Sequence, residues 1–458
     1  MFHDLSDRIA HNPPGRYAGV AVADVDGDGR PEFVVAGMGG PNRVLRWAGG
    51  RLVDGAPPLL ADPSSHATGV AAGDLDGDGA EELYVTSADG PDRLFKRHPD
   101  GTWADLLARA GRFAGGRAAA AVDRRGVGRY GFAVSGPGPL RLVEPTPDGR
   151  PLDLAPSLDL DRVFGGWGLL AAPLLGHRPD LFVATDDAPG VLLRGREDGT
   201  FEEVAEWAGR GDPDDGGRAG AAVDVGGVLG LCVAAADGPH RLLVPGRDGR
   251  RDRATPALAL ASAVRTVVAA DLDNDGHDEL FFVNHGEPNR LFRVSANGRR
   301  QPAGGEGHRP ADAGRSPEVV MLDPGAAAEA DGPGVGAAAG DIDGDGVLEL
   351  LVTHAGRPLA LYKASPAAGN RWLRVVPLTR FGAPARGAVV RLAAGGRTRV
   401  KVIDGGSGCG CQMEPVAHFG LGAERDVGQV TVTWPDGVEV AFAPPGVNRT
   451  LAVQYPGG

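Results

Sequence analysis

Apolar and polar positions alternate in short runs along the whole chain, and Gly, Pro, Asp or Asn breaks each run after a few residues. The apolar run VAVA ends at Ala23 and FVVAG begins at Phe33, with DVDGDGRPE between them from Asp24. The same order recurs at Asp74 (VAAG, DLDGDGAEE, LYVTS), at Asp271 (VVAA, DLDNDGHDE, LFFVN) and at Asp341 (AAAG, DIDGDGVLE, LLVTH). A second apolar motif follows each: GPNRVLRW, GPDRLFKR, EPNRLFRV and GRPLALYK. Alternation over four to eight residues between turn signals predicts strands, and no stretch has the 3.6-residue period of an amphipathic helix.

Three weaker copies fill the space between the second and third loops. AAAAVDRRGVGRYGFAVSG places a loop at Asp123, LLAAPLLGHRPDLFVATDD one near Ala172, and AGAAVDVGGVLGLCVAAADG one at Asp224. A repeat with a spacing near fifty residues, each copy holding several short strands, predicts an all-β fold: a seven-bladed β-propeller over residues 1–366. An open solenoid is the rival architecture. Small residues crowd the first strand of each copy (GVAVA, GVAAG, AAAAV, AGAAV, VGAAAG), as the narrow axis of a closed ring requires. Copies two and four carry outer-strand segments, GTWADLLARAG and GTFEEVAEWAG, which copy seven lacks. Phe2, Asp4, Leu5 and Ile9 reproduce that pattern, so residues 1–9 are expected to close the seventh blade. The interval from the sixth to the seventh copy is longer, and its Gly/Pro/Arg-rich sequence reads as a mobile insertion over about 296–333.

The four regular loops carry a chemistry of their own. A hard cation such as Ca²⁺ takes 6–8 oxygen ligands with loose angular demands. Asp at loop positions 1, 3 and 5 brings three carboxylates to one side of a tight turn, and glycine at position 6 lets the backbone fold around an ion. A carbonyl at position 7 and a carboxylate at position 9 complete the set. The expected ligands are Asp24, Asp26, Asp28, the Arg30 carbonyl and Glu32; Asp74, Asp76, Asp78, the Ala80 carbonyl and Glu82; Asp271, Asp273, Asp275, the His277 carbonyl and Glu279; and Asp341, Asp343, Asp345, the Val347 carbonyl and Glu349. About four Ca²⁺ per chain follow. An EF-hand would need Glu at position 12, where this chain has Val35, Val85, Phe282 and Val352. The degenerate loops lack the set: Arg125 and Val127 in the third copy, Gly226 and Val228 in the fifth, with Arg125 a candidate fixed positive charge in place of a metal.

These loops resemble the FG-GAP or VCBS repeats of integrin α-subunit propellers, a likeness that covers roughly residues 15–365 and implies Ca²⁺ in the loops. The remainder, NRWLRVVPLTRFGAPARGAVVRL, IDGGSGCGCQMEPVAHFGLG and VTVTWPDGVEV, resembles the ASPIC/UnbV domain of the cartilage acidic protein family, and the chain as a whole looks like a prokaryotic-type member. The resemblance implies a secreted protein, although MFHDLSDRIAHNPPG shows neither the basic n-region nor the apolar h-region of a signal peptide. The vertebrate members' further Cys-rich module is absent. Residues 367–458 read as a small β-sandwich or barrel with strands WLRVVPL, AVVRLAA, RVKVI, VTVTW, VEVAF and TLAVQY, and with GGSGCGC and HFGLG as tight turns anchored by His418 and Phe419.

Composition narrows the partners. A net charge of −13 disfavours nucleic acid and anionic membrane surfaces, and no apolar run approaches the ~18 residues of a span. Three cysteines make no disulfide framework. Cys409 and Cys411 lack the spacing of zinc pairs, and Ser407 is no nucleophile elbow because Cys409 stands at the second glycine position. No other catalytic motif is present. The sequence reads as a binding protein, not an enzyme, with a protein or glycan ligand on the loop face. The alternative is an enzyme or biosynthetic accessory protein with a pocket at the ring axis or the domain junction.

Overall fold

The computed structural model describes every residue except 109–112, 186–189, 205–216, 237, 247–248, 253–254, 297–316 and 458. The chain is all-β and divides into many small antiparallel sheets. The second repeat forms a four-stranded sheet in chain order, Ala67–Gly73, Glu82–Ser87, Arg93–Arg97 and Trp103–Asp105. Four further sheets repeat this plan from Ala118–Val122, Gly166–Ala172, Gly217–Asp224 and Val264–Ala270. The first repeat (from Gly15–Ala23) and the last (from Gly334–Gly340) share an eight-stranded sheet, because Arg16 pairs with Ala355. Phe2–Asp4 pairs antiparallel with Ala360–Ala364 as the outermost strand of the last repeat.

The first strands of successive repeats pack side by side, and Gly334–Gly340 packs back against Gly15–Ala23, so the series of neighbours closes. Each sheet is consequently covered on both faces. In the first repeat Val20, Val22, Phe33, Val35 and Leu45 join Leu351 and Leu361 of the last repeat. The alternate positions Ala21, Ala23, Val34 and Val44 join Val70, Leu83 and Phe95 of the second. Burial on two sides explains why the second strands, such as Glu32–Gly37, are buried at every position rather than every other one.

Two features depart from the sequence reading. Of the expected mobile insertion, 297–316 lie outside the described residues. Pro317–Leu322, however, pairs along its whole length with Arg290–Ala296 as a regular outer strand, because Val319 packs on the apolar core between the fifth and sixth sheets. HFGLG is not a turn. Ala417–Gly422 is a strand paired with Arg371–Pro377, which also pairs in parallel with Thr450–Val453. A second C-terminal sheet centres on Val389–Ala394. Leu373, Val375, Phe419 and Leu421 of one sheet and Val390, Leu392, Val430 and Val432 of the other share one apolar core.

Candidate metal centres and the segment between the first strands

Each regular loop is wound around its first aspartate. Asp24 accepts from the Gly27 and Gly29 amides at 2.8 and 2.9 Å. Asp74 does the same from Gly77 and Gly79 at 2.7 and 3.0 Å. The position-9 glutamate then reaches back to the amide at position 2: Val25 to Glu32, Leu75 to Glu82, Leu272 to Glu279 and Ile342 to Glu349, all at 2.7–2.9 Å. At position 7 the amides of Arg30, Ala80, His277 and Val347 donate to Asp28, Asp78, Asp275 and Asp345. These bonds hold the carboxylates at fixed places before any ion arrives.

Oxygens of Asp24, Asp26 and Glu32 lie within 4.8 Å of one another, as do those of Asp74, Asp76 and Asp78, of Asp271, Asp273 and Glu279, and of Asp341, Asp343 and Glu349. Asp28, Asp275, Asp345 and Glu82 stand outside these tight groups. Burial, with repulsion from the neighbouring carboxylates behind it, pushes Glu32 up to about 8. The same burial raises Glu349 to about 8 and Asp74 to about 6, and lifts Asp271 and Glu279 well above the usual carboxylate range. Among the described residues, Asp271 Oδ1, Glu279 Oε1 and Asp341 Oδ1 are buried with no hydrogen-bond partner. Buried polar atoms are normally satisfied, and an all-oxygen set with unmet acceptors fits a hard cation.

The sequence reading missed the basic residue across the strand from each position-9 glutamate. Lys96 Nζ lies 2.7–2.8 Å from Asp76, Asp78 and Glu82. Lys363 Nζ lies 2.8 and 2.9 Å from Asp343 and Asp345 and also contacts Glu349. The signal was present in the second motif, RVLRW, RLFKR, RLFRV and ALYK, once the two strands are set in antiparallel register.

The degenerate loops are closed by protein groups. Asp123 accepts from Val127 and Gly128, and Asp180 from Leu174, Leu175 and Gly195. The fixed positive charge of the third copy is Arg124, not Arg125. Arg124 is buried, paired with Glu144 and bonded to the Gly199 carbonyl, whereas Arg125 points to solvent. In the fifth copy Asp224 accepts from the Val400 amide and lies beside Asp278, which pairs with Lys401 of the C-terminal domain.

The C-terminal domain covers most of the loop face. Arg374 bonds Asp341 at 2.7 Å and pairs with Glu414. Asn370 bonds the Asp273 carbonyl, Arg399 the Gly276 carbonyl and His418 the Asn274 amide oxygen. Gly346 (φ +86°) must lack a Cβ, which would stand 1.9 Å from the Trp372 ring. The expected recognition surface on the loop face is therefore largely occupied by the chain itself. The loop at Asp24 stays open to solvent, as do Asp76, Asp78 and Asp345.

Residues 404–414 run among the first strands of the repeats, and the turn expected at GGSGCGC becomes a plug between them. Its carbonyls take amide bonds from Val22 (to Gln412), Val70 (to Gly410), Ala121 (to Gly405), Leu169 (to Gly408) and Ala171 (to Gly406). Gln412 bonds Ala72 through both its side-chain oxygen and nitrogen, and the Cys409 amide donates to Thr266. The small residues of the first strands now have their reason: a Cβ on Gly19 would lie 2.0 Å from the Gly410 carbonyl. Between plug and strands remains a cavity of about 70 Å³ whose polar lining is Lys401, Asp404, Ser407, Glu414 and His418.

Comparison with known proteins agrees with both parts. Residues 24–85 match the FG-GAP-like repeat family and residues 379–458 match the ASPIC and UnbV family. Human cartilage acidic protein 1 is 38% identical across 97% of this chain and 73% of its own length. The Xenopus tropicalis protein of the same name is 37% identical across 100% and 77%. A solved Agrocybe aegerita lectin is 15% identical over 73% of this chain and 88% of that one, at a TM-score of 0.45, too loose to place a site. More than a third identity over nearly the whole length, with both family matches in one chain, places this chain in the cartilage acidic protein family.

Proposed function

We propose that the chain is a calcium-stabilised, seven-bladed β-propeller whose own C-terminal β-sandwich closes one face and the axis, and that it acts as a binding or interaction protein. The closed series of first strands supports the ring. The observation that carries the calcium reading is the set of buried, unpartnered carboxylate oxygens at Asp271, Glu279 and Asp341. Such oxygens cost free energy in a metal-free fold and are neutralised by Ca²⁺ in blades 6 and 7, and the like-built carboxylate clusters of blades 1 and 2 are assigned Ca²⁺ with them. The enzyme reading needs a substrate-sized pocket, commonly about 300–1,000 Å³. The cavity at the domain junction, where that reading places it, is about 70 Å³ and takes a few waters; a larger one of about 420 Å³ lies away from the junction, beside Leu160, Phe164 and Phe201. Recognition of a protein or glycan then falls to surfaces that the C-terminal domain leaves uncovered.

Thermal unfolding in excess calcium and in excess chelator, with metal content measured in parallel, tests this. A ligand at 100 times its dissociation constant adds about 2.7 kcal/mol per site, so several ions give a large upward shift in Tm. Equal Tm values and no bound metal overturn the calcium reading.

A further inference from the structure

The four loops are not alike in what stands beside them. Glu349 pairs in register with Lys363, and Glu279 with Arg293. One residue beyond the Phe33–Leu45 and Leu83–Phe95 pairs, Glu32 faces Arg46 and Glu82 faces Lys96. The two lysines turn into their clusters, with side chains only 12% and 9% exposed, and each ammonium touches three carboxylates of its loop. The two arginines stay outside. Arg46 is 55% exposed and comes no nearer than 4.0 Å, to Asp26 alone. Arg293 is 40% exposed and reaches Asp275 alone, at 3.4 Å. Among the described residues the buried oxygens Asp271 Oδ1 and Glu279 Oε1 at the Arg293 loop have no hydrogen-bond partner. Neither has Asp341 Oδ1 at the Lys363 loop, where Lys363 sits on the other carboxylates and Arg374 on the second oxygen of Asp341.

We propose that Lys96 and Lys363 are built-in counter-cations that divide the loops into two classes: the loops at Asp24 and Asp271 hold Ca²⁺ tightly, and the loops at Asp74 and Asp341 hold it only by expelling a lysine. This rests on the calcium reading above. An ammonium is a compact point charge on a flexible stem; here each one meets three carboxylates of its loop, whereas the guanidiniums of Arg46 and Arg293 meet one each and that of Arg374 meets Asp341 alone within its loop. The ammonium occupies three oxygens that Ca²⁺ would need for its shell of 6–8, and a divalent ion arriving beside it meets like charge at short range. The stem can swing out, because Asp76 and Asp345 border solvent. Binding at these loops is therefore weakened, not abolished, and they fill at higher free calcium than the other two.

The test is calorimetric titration of the chelator-stripped full chain with CaCl₂, with bound ions counted by native mass spectrometry. Two ions are expected to bind at least about tenfold more tightly than the next two. Lys96→Met together with Lys363→Met should tighten the weak pair by about tenfold or more and leave the tight pair unchanged. Arg293→Lys, which moves the device to a tight loop, should weaken one tight site by a similar factor, and it decides the matter if the double variant does not fold. Four equivalent sites in the wild type, unchanged by these substitutions, overturn the lysine proposal and leave the calcium reading standing. No calcium bound by the wild type or by either variant overturns the calcium reading itself.

Discussion

Arg386 is a residue whose loss should cost this fold heavily. It belongs to the C-terminal domain, yet its side chain is fully buried and pairs with Glu81 of the second acidic loop through Nε and Nη2. Nη1 also donates to the Asp404 carbonyl at 2.8 Å, and Nη2 to the Val22 carbonyl at 3.3 Å. One guanidinium thus ties a loop, the base of the plug and a first strand together. Arg386→Met keeps much of the volume and leaves Glu81, itself 4% exposed, as a buried charge without a partner. Breaking one side of such a pair costs about 3–5 kcal/mol. Adding Glu81→Gln removes the stranded charge, so the double variant should recover at least about 1 kcal/mol relative to Arg386→Met alone. Urea unfolding in calcium-containing buffer, followed by circular dichroism, measures both. A loss below about 1 kcal/mol for the single variant, the size expected of an exposed pair, would refute the view that this contact locks the two domains. So would a double variant no better than the single.

Three further outcomes follow from the same geometry. Gly408 has φ +62° and a Cβ there would meet Thr266 Oγ1 at 2.0 Å; Gly408→Val should lower stability by at least about 2 kcal/mol, and an unchanged Tm would mean the plug is not seated. In chelator, Glu32 and Glu349 at about 8 and Glu82 at about 7, raised first by burial from 4.5, stay protonated in the fold over a range where the unfolded chain is ionised. The unfolded chain then binds fewer protons, and stability must fall as pH rises from about 4.5 to 8; a metal-free Tm that is flat or rises over that window contradicts it. Burial pushes the Cys232 thiol up to about 12 and raises that of Cys411, so neither should react with a disulfide reagent at pH 8 until the protein unfolds; modification of either in the native protein, located by peptide mapping, would show that burial does not protect them.

The repeat, the acidic loops and the strands within each copy are legible in the sequence because each is a local pattern: alternation over a few residues, Asp and Gly at fixed offsets, a spacing near fifty. Even the crowding of Ala and Gly in the first strands is visible, although not its cause. That the cause is GGSGCGC rather than empty space, that His418 reaches Asn274 and Trp372 lies on Gly346, and that Lys96 and Lys363 enter the clusters while Arg46 and Arg293 do not, are pairings between separate strands or between residues far apart in the chain. Local periodicity carries no record of which distant segment meets which. Docking a second domain onto the loop face fixes those partners by shape and charge at once, and it changes the meaning of the loops from an open recognition surface to a socket the chain fills itself.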